Sequence, residues 1–305
     1  MKKLKIKRKY IFLGEIDSIN IELIIKSFNF LRNKVDYILI CNKKDLFKSI
    51  LFKKSNIKLN EILDPINFIN YKKNNLNIFN IENISKKKHI NLINQIEISN
   101  SIANSTKFDL ITMPINKFVF KKKIKFIGMT EYLGSLNQLP TLMLMYGEKF
   151  SIIPMTTHIN IKNISKYINS KFINNFLRNI LNNIKKPQYS FNFKNIKFLC
   201  YNPHCGEKGT LGKEDIFIKS ALTKHEIIDG PYSGDSAFIK IKKNTLFLST
   251  YHDQALIPFK ILNKKTINIT LGLKYRRLSP AHGTAKEIKG KNQADNTSYL
   301  ACLLI

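Results

Sequence analysis

The chain has 305 residues, 44% of them hydrophobic, and carries 51 Lys and Arg against 21 Asp and Glu, a net charge of +30. This composition excludes a disordered tail, and the apolar runs are too short for the ~20 residues of a membrane span or the roughly 7–15 of a signal peptide core. We therefore expect a cytoplasmic protein without a membrane partner, whose basic first residues lead through solvent into a first strand. The charge alone suggests nucleic acid, but the lysines are scattered among Asn and Ile, residues with A/T-rich codons, so we expect composition drift and no nucleic-acid partner. General attraction of anionic substrates remains an alternative.

Short β-rich runs alternate with longer helical ones along the chain. Strands are predicted at Tyr10–Leu13, Tyr37–Cys41, Asp109–Met113, Leu142–Tyr146, Ser151–Thr156, Ile196–Tyr201, Leu246–Tyr251 and Ile267–Leu271. Helices are predicted at Ile21–Leu31, Leu92–Ala103, Ile164–Ile184 and Lys213–Lys224, while residues 53–88 show no clear pattern. The alternation predicts an α/β protein with a largely parallel sheet. No GxGxxG follows the first strand, so nothing supports a Rossmann dinucleotide fold.

Four cysteines, Cys41, Cys200, Cys205 and Cys302, show no framework spacing and are expected to be reduced thiols. Cys200, His204 and Cys205 are close enough in sequence to hold a metal. Without a second cluster they do not match a structural zinc site. Small buried side chains are the alternative interpretation.

Three of the six histidines directly follow predicted strands: His158, His204 and His252. In α/β sheets the strand ends open into the crevice where ligands bind. Three neutral imidazoles converging there would make a metal site with an open position, as in catalytic zinc sites. For any one of them alone, a hydrogen-bonded structural histidine is the alternative.

The segments around these histidines keep Gly and Pro that a Lys/Asn/Ile-rich composition would erode, which marks turns with special dihedral angles. They resemble, in order, the motifs of the 4-hydroxythreonine-4-phosphate dehydrogenases of vitamin B6 synthesis. The matching segments are DLITMPINK, MTEYLGS, TTHINIKNI, NPHCGEKGTLGKED, YHDQALIPFK, INITLGLKYRRLS and AHGTAKEIKGKNQA. The resemblance runs from Asp109 to Ile305, whereas GEIDSINIELIIK in the N-terminal third is only faintly similar.

The resemblance implies a two-lobed α/β/α fold of the isocitrate and isopropylmalate dehydrogenase type. The expected first lobe is discontinuous and lies on the cofactor side, residues 1–128 plus 254–305. The second lobe, residues 129–253, would hold the metal ligands and dimer contacts.

The resemblance also implies roles for single residues. His158, His204 and His252 match the ligands of one divalent metal, Zn, Co, Mn or Mg, contributed across a homodimer interface that contains the active site. Substrate contacts match Thr130, Lys260, Asn268 and Arg277, the last a planar fork suited to phosphate. The cofactor candidates, for NAD or NADP, are His282, Gly283 and Thr284. Asp253 is the catalytic candidate, which would either take a proton or orient its neighbouring ligand.

The implied reaction is oxidation of 4-phosphohydroxy-L-threonine at C3 to a β-keto acid that loses CO2, giving 3-amino-2-oxopropyl phosphate in pyridoxal phosphate biosynthesis. The metal would act as a Lewis acid on the substrate hydroxyl. The partner is thus a small phosphorylated amino-hydroxy acid.

Several positions depart from the family pattern. Met129 replaces a substrate-contacting His and can neither donate a hydrogen bond nor carry a proton. Ser18 and Asn20 replace glycines of the N-terminal loop, so this loop is expected to change shape. Cys205 replaces Ala, and two cofactor-segment residues also differ, namely Glu287 for Asp and Lys289 for Ala. A metal-binding relative that has lost or changed its activity therefore remains the alternative, and a basic nucleic-acid-binding protein a more remote one.

Overall fold

The computed structural model describes residues 8–120 and 126–305, so the predicted lead at residues 1–7 lies outside the described chain. Two compact units make up the protein. The first combines Met1–Asn137 with Leu273–Ile305, and the second is the continuous segment Gln138–Gly272.

The first unit is built on parallel strands in the order β3-β4-β2-β1-β5-β12. Its strands are β1 (Arg8–Phe12), β2 (Asp36–Cys41), β3 (Leu59–Glu61), β4 (Leu76–Asn80), β5 (Asp109–Thr112) and β12 (Arg277–Pro280). Its helices are α1 (Asn20–Leu31), α2 (Lys43–Phe47), α3 (Ile50–Lys54), α4 (Lys88–Thr106), α5 (Met129–Asn137) and α9 (Thr297–Leu304). The order differs from the 3-2-1-4-5-6 arrangement of a Rossmann sheet.

The central strands β1, β2 and β5 are buried along most of their length, the pattern of a parallel sheet that is covered on both faces. Tyr10, Phe12, Ile38 and Ile40 are buried completely, and Leu133 of α5 belongs to the same core cluster.

A buried ion cluster joins β1, β5 and the residue that precedes β12. The ammonium of Lys9, which is 0% exposed, donates to Asp109 at 2.8 Å and to the carbonyl oxygen of Cys302 at 3.2 Å. Arg276 donates to both carboxylate oxygens of Asp109, at 3.0 and 2.7 Å, and to the carbonyl of Ile305 at 3.3 Å. The paired geometry satisfies charges that would be costly to bury singly.

The second unit mixes strand directions. Its order is β11-β6-β7-β10-β8-β9, with β6 antiparallel to both neighbours and β7, β10, β8 and β9 parallel. The strands are β6 (Leu142–Gly147), β7 (Phe150–Pro154), β8 (Asn195–Leu199), β9 (Ile228–Tyr232), β10 (Thr245–Ser249) and β11 (Thr266–Leu271). The helices are α6 (Ser170–Ile184), α7 (Glu214–Leu222) and α8 (His252–Leu262).

The unit boundaries differ from those expected from the sequence, which were 128/129 and 253/254. The chain leaves the first unit after Asn137 and returns at Leu273. The cause is packing: Leu133 is buried in the core of the first unit. Strand β11 pairs with β6 along its whole length, which keeps residues 266–271 in the second unit.

Some predicted elements begin or end elsewhere. The predicted helix Ile164–Ile184 is divided, because the side chain of Asn169 caps α6 by accepting from the amide of Phe172 at 3.0 Å. Helices α5 and α8 and strand β12 had no sequence prediction. No helix of the described ranges is long and apolar enough to cross a membrane.

Candidate active site

The three predicted ligand histidines follow adjacent parallel strands of the second unit. His158 comes after β7, His204 after β8 and His252 after β10, and β10 pairs with both other strands. The carboxyl ends of these strands therefore lie at one edge of the sheet. The rings of His158 and His252 approach within 5.8 Å between centroids. The structure thus places at least this pair side by side.

His252 is the first residue of α8, and its ring is oriented by the next residue. Its Nδ1 lies 2.8 Å from Oδ1 of Asp253. With the proton on Nδ1, the imidazole donates to the carboxylate and presents its Nε2 lone pair outward. A carboxylate behind a ligating histidine fixes its tautomer and raises its basicity. This contact favours the orienting role for Asp253 over proton transfer.

His204 lies in an unusual backbone turn. Five successive residues, 204–208, have positive φ angles between 44° and 74°. For residues other than glycine this left-handed region costs roughly 1–2 kcal/mol each. Such strain persists only when the surroundings determine it.

The carboxylate of Asp215, at the start of α7, braces the entry to this turn. It accepts from the amides of Tyr201 at 2.6 Å and Asn202 at 2.9 Å, and from the side chain of Asn202 at 3.0 Å. Asp215 is only 3% exposed. Gly206, the buried glycine of the turn, lies close to Asp215. A Cβ at Gly206 would be 3.3 Å from Oδ2 of Asp215.

A cavity of about 510 Å³ opens beside His204 and Asp253. Asp235, which was not singled out from the sequence, also lines it. A hydrogen bond from Ser233 lowers the pKa of Asp235, and the nearby His204 lowers it further. The sequence signal that could have identified Asp235 is an acidic residue in the SGDS turn, in a chain with few carboxylates.

The contacts of Cys205 do not indicate that it binds a metal. Its thiol contacts the carbonyl oxygen of Pro231 at 3.5 Å, and burial raises its pKa to about 12. These contacts fit a substitution of Ala by Cys that has no role in metal binding.

The donor set suits a divalent metal, since imidazoles and carboxylates are its common ligands. Within residues 8–120 and 126–305 of one chain, no three His, Cys, Asp or Glu side chains are gathered closely enough to hold an ion. The resemblance had implied ligands from two protomers.

The predicted substrate residues of the second unit are Lys260 and Asn268. Lys260 lies exposed in the last turn of α8. Asn268 lies in β11 opposite Met145. Its Oδ1 is buried and has no hydrogen-bond partner among the described residues. An unsatisfied buried amide oxygen is costly, so this atom suits a ligand that brings a donor.

The other two predicted substrate residues belong to the first unit. Thr130 is 7% exposed in the first turn of α5. Arg277 is 3% exposed, and its Nε donates to the hydroxyl of Thr112 at 2.8 Å. Burial lowers the pKa of Arg277 to about 10, while the charge of Glu131 opposes this shift. The guanidinium is therefore still charged at neutral pH.

Met129 opens α5 and packs against the hydrophobic core of the first unit. Met129, which replaces the histidine of the family pattern, therefore contributes to apolar packing.

The predicted cofactor segment lies in the first unit after β12. His282 places Nδ1 2.9 Å from the carbonyl oxygen of Gly283, and its buried Nε2 has no partner in the part of the chain that the structure describes. Burial lowers the pKa of His282, so the ring is neutral at neutral pH. The carbonyl of Thr284 accepts from the amide of Ile19 at 3.1 Å. The orphaned Nε2 fits a bound group that supplies a hydrogen-bond partner.

The N-terminal loop docks on this segment. Asp17 pairs with Lys286 and Lys289, both at 2.9 Å, and hydrogen bonds from these lysines lower its pKa to about 2. A cavity of about 730 Å³ lies alongside, lined by Asp17 and Lys289. Lys289, one of the departures from the family pattern, therefore anchors the loop.

Ser18 and Asn20, which replace glycines of this loop, have unstrained backbones, because neither has a positive φ. The Asn20 amide donates to the carbonyls of Leu13 at 2.9 Å and Pro114 at 2.9 Å. Gly14 alone in the loop keeps a left-handed conformation, at φ +72°. A buried asparagine thus closes the loop, and the expected change of its shape relative to the family pattern stays a prediction.

Fold and site together define a two-unit α/β protein with histidines at the carboxyl ends of adjacent parallel strands. Residues 33–305 match the family described as pyridoxal phosphate biosynthetic protein PdxA. The 4-hydroxythreonine-4-phosphate dehydrogenase of Aquifex aeolicus is 33% identical over 309 residues, covering 96% of this chain and 95% of that protein. The chain belongs to the PdxA family.

Other relatives agree with this assignment. The 4-hydroxythreonine-4-phosphate dehydrogenase of Hydrogenobaculum is 41% identical over 200 residues, and the aligned region covers 64% of each chain. The solved 4-hydroxythreonine-4-phosphate dehydrogenase of Klebsiella pneumoniae superposes with a TM-score of 0.81 at 23% identity, covering 98% of this chain and 97% of that one. This likeness confirms the predicted α/β fold class.

Proposed function

We propose that this chain oxidises 4-phosphohydroxy-L-threonine at C3, with NAD or NADP and one divalent metal, to a β-keto acid that loses CO2 to give 3-amino-2-oxopropyl phosphate. The observation that carries the proposal is the set of His158, His204 and His252 on three adjacent strand ends in a chain of the PdxA family.

In this proposal His158, His204 and His252, from two protomers of a homodimer, hold the metal. When bound, the metal supplies a Lewis acid that lowers the pKa of the substrate hydroxyl. Asp253 holds the tautomer of His252 through Nδ1. The substrate phosphate is assigned to Lys260 and Arg277, a point charge and a planar fork, and Asn268 and Thr130 orient the remaining polar groups.

His282, Gly283 and Thr284 are assigned to the cofactor, which supplies the two-electron oxidant. The neutral His282 ring offers its partnerless Nε2. The backbone of Thr284 is held by Ile19, which fixes the segment against the N-terminal loop.

The test follows NAD(P)H absorbance with 4-phosphohydroxy-L-threonine, either nucleotide and a divalent metal. We expect metal-dependent reduction in the wild type and its loss in His204→Ala. The half-buried His225, which has no assigned role, gives the control His225→Ala, which should keep full activity. No reduction with any metal by a folded protein would contradict the proposal.

A relative with lost or altered activity is the second candidate, and one observation favours it. Met129 stands in place of a polar substrate contact and packs into the core of the first unit. In that case the wild type should bind metal without turnover. Met129→His would then restore measurable reduction if this single contact is what the chain lacks.

A further inference from the structure

The amide of Gln254 links two of the strand ends that carry the histidines. Its Oε1 accepts from the backbone amide of Thr250 at 2.8 Å and from the Thr250 hydroxyl at 2.9 Å. Its Nε2 donates to the carbonyl oxygen of Cys200 at 2.7 Å. Thr250 follows β10 and Cys200 follows β8. One side chain therefore spans both strand ends.

A second link extends the network to the strand that precedes His158. The hydroxyl of Thr156 donates to the carbonyl of Thr250 at 2.8 Å, and its amide reaches the same oxygen at 3.2 Å. Thr156 and Cys200 are each 2% exposed, and Thr250 is fully buried. The histidines lie two residues after Thr156, two after Thr250 and four after Cys200.

Burial makes these bonds sensitive to change. In a low-dielectric interior a satisfied polar network is rigid, whereas an unsatisfied donor or acceptor is costly. An apolar side chain in place of Gln254 would leave the carbonyl of Cys200 and the amide of Thr250 without these partners. We expect the two strand ends to move apart so that these unpaired groups reach water. This movement would displace the turns that carry His204 and His252.

Gln254 also reaches the site itself, because it lines the 510 Å³ cavity together with His204 and Asp253. Its amide thus lies between the cavity and the buried strand ends.

We propose that Gln254 is a positioning residue that fixes the strand ends bearing His204 and His252, and so holds each of these imidazoles in place for the divalent cation that it binds. The inference rests on the proposed metal site. It assigns Gln254 no contact with the cation and no step of the reaction.

The experiment is a Co²⁺ titration of the full chain, followed by visible absorption and calorimetry. Gln254→Met keeps the size of the side chain and removes all three hydrogen bonds. We expect its Co²⁺ Kd to rise about 10–100-fold, the range for losing an outer partner of a metal site. We also expect the absorption bands of bound Co²⁺ to change in intensity.

Asn263 supplies a matched control just past the other end of α8. Its Oδ1 accepts from the amide of Lys149 at 2.9 Å, and its Nδ2 donates to the carbonyl of Phe259 at 3.0 Å. It is 4% exposed. Asn263→Leu therefore removes a comparable buried brace and should lower the melting temperature while leaving the Co²⁺ spectrum and Kd unchanged.

Gln254→Glu provides a second variant should Gln254→Met not fold. It keeps the acceptor for Thr250 and loses the donor to Cys200, so we expect an intermediate Kd. Wild-type Co²⁺ binding with a Kd and spectrum unaltered in the Gln254 variants would overturn the positioning role and leave the proposed function standing. Absence of Co²⁺ binding in the wild type would overturn the proposed metal site, and the positioning role with it.

Discussion

The contact between His252 Nδ1 and Asp253 Oδ1 joins two residues that the sequence places side by side at the start of a helix. A helix N-terminus attracts negative charge, so Asp253 is well placed to remain an acceptor. If it orients His252, it never changes protonation during turnover.

We predict that Asp253→Asn keeps much of its activity, because an amide oxygen still accepts from Nδ1, whereas Asp253→Ala weakens metal binding about 10-fold or more. The measurement is kcat/KM against pH, together with metal affinity, for both variants. A lost acid limb of the pH profile in Asp253→Asn would instead indicate that Asp253 takes a proton.

Arg277 is the second residue whose surroundings make a sharp prediction. Arg277→Lys removes the fork geometry while keeping the charge, and one charge-assisted hydrogen bond is worth about 1.5–3 kcal/mol, about 10–100-fold in binding. We expect KM for the phosphorylated substrate to rise by this factor, with a smaller change in kcat. Lys274→Arg, an exposed cation nearby in sequence, is the control and should leave both constants unchanged.

At this scale the sequence predicted that each of the three histidines follows a strand, and the structure agrees, whereas their role as metal ligands stays a prediction. It could not reveal that Asp235 shares a cavity with His204, since α7 and β9 lie between the two residues in the chain. Nor could it reveal the bonds of Gln254, which connect groups that are distant in the chain.

The left-handed turn at residues 204–208 carries His204. Gly206 there has a φ of +74°, and a Cβ would lie 3.0 Å from the carbonyl oxygen of Gly212. A side chain at this position would therefore force the Gly212 carbonyl to move by a few tenths of an ångström.

Gly206→Ala should lower the free energy of unfolding by about 1–3 kcal/mol, the cost of a strained backbone position. Urea unfolding monitors the change. Gly283→Ala is the control, because a Cβ there meets nothing within 4 Å, and its midpoint should stay close to that of the wild type. Equal midpoints for all three proteins would show that the turn relaxes without cost.

Element prediction failed where tertiary contacts or special residues override local pattern. Helix α8 contains Pro258, which cannot donate a helical hydrogen bond, so its sequence does not suggest a helix. Strand β12 has four residues and begins with a charged one. The central strands β1, β2 and β5 were predicted to within two residues at either end, because buried parallel strands are continuous apolar runs.

The ion cluster of Lys9, Asp109 and Arg276 joins distant parts of the chain, so it belongs to the stability of the whole molecule. Burial alone would raise the pKa of Asp109, but hydrogen bonds from Arg276 and the charge of Lys9 hold it below its ordinary value. A depressed carboxyl pKa stabilises the fold above the unfolded-state pKa of about 3.9. This contribution is lost as the pH falls toward the folded-state value.

We therefore expect the urea midpoint of the wild type to fall steeply from about pH 5 downward, and that of Asp109→Asn to be lower at neutral pH but less dependent on acid. Leaving two buried cations without their carboxylate costs about 3–5 kcal/mol. Asp64→Asn, at a half-buried carboxylate whose hydrogen-bond partners are the neighbouring Ile66 and Asn67, is the control and should keep the wild-type midpoint at neutral pH. Parallel pH profiles for wild type and Asp109→Asn would contradict this account.

The net charge of +30 also acts on the whole molecule. If it reflects composition alone, retention on duplex DNA should be weak and should vanish between about 50 and 200 mM salt. A filter-binding titration checks this expectation. Sequence-selective retention at the higher salt concentration would instead support a nucleic-acid partner.

The division of the first unit between Met1–Asn137 and Leu273–Ile305 has a consequence for synthesis on the ribosome. Strand β5 pairs with β12, and β12 is translated only after the entire second unit. The second unit is continuous and can fold while its partner still lacks a strand. At about 5–20 residues per second the final 33 residues take about two to seven seconds more. Until then the nascent chain carries an open β5 edge, the kind of surface that chaperones bind and aggregates extend.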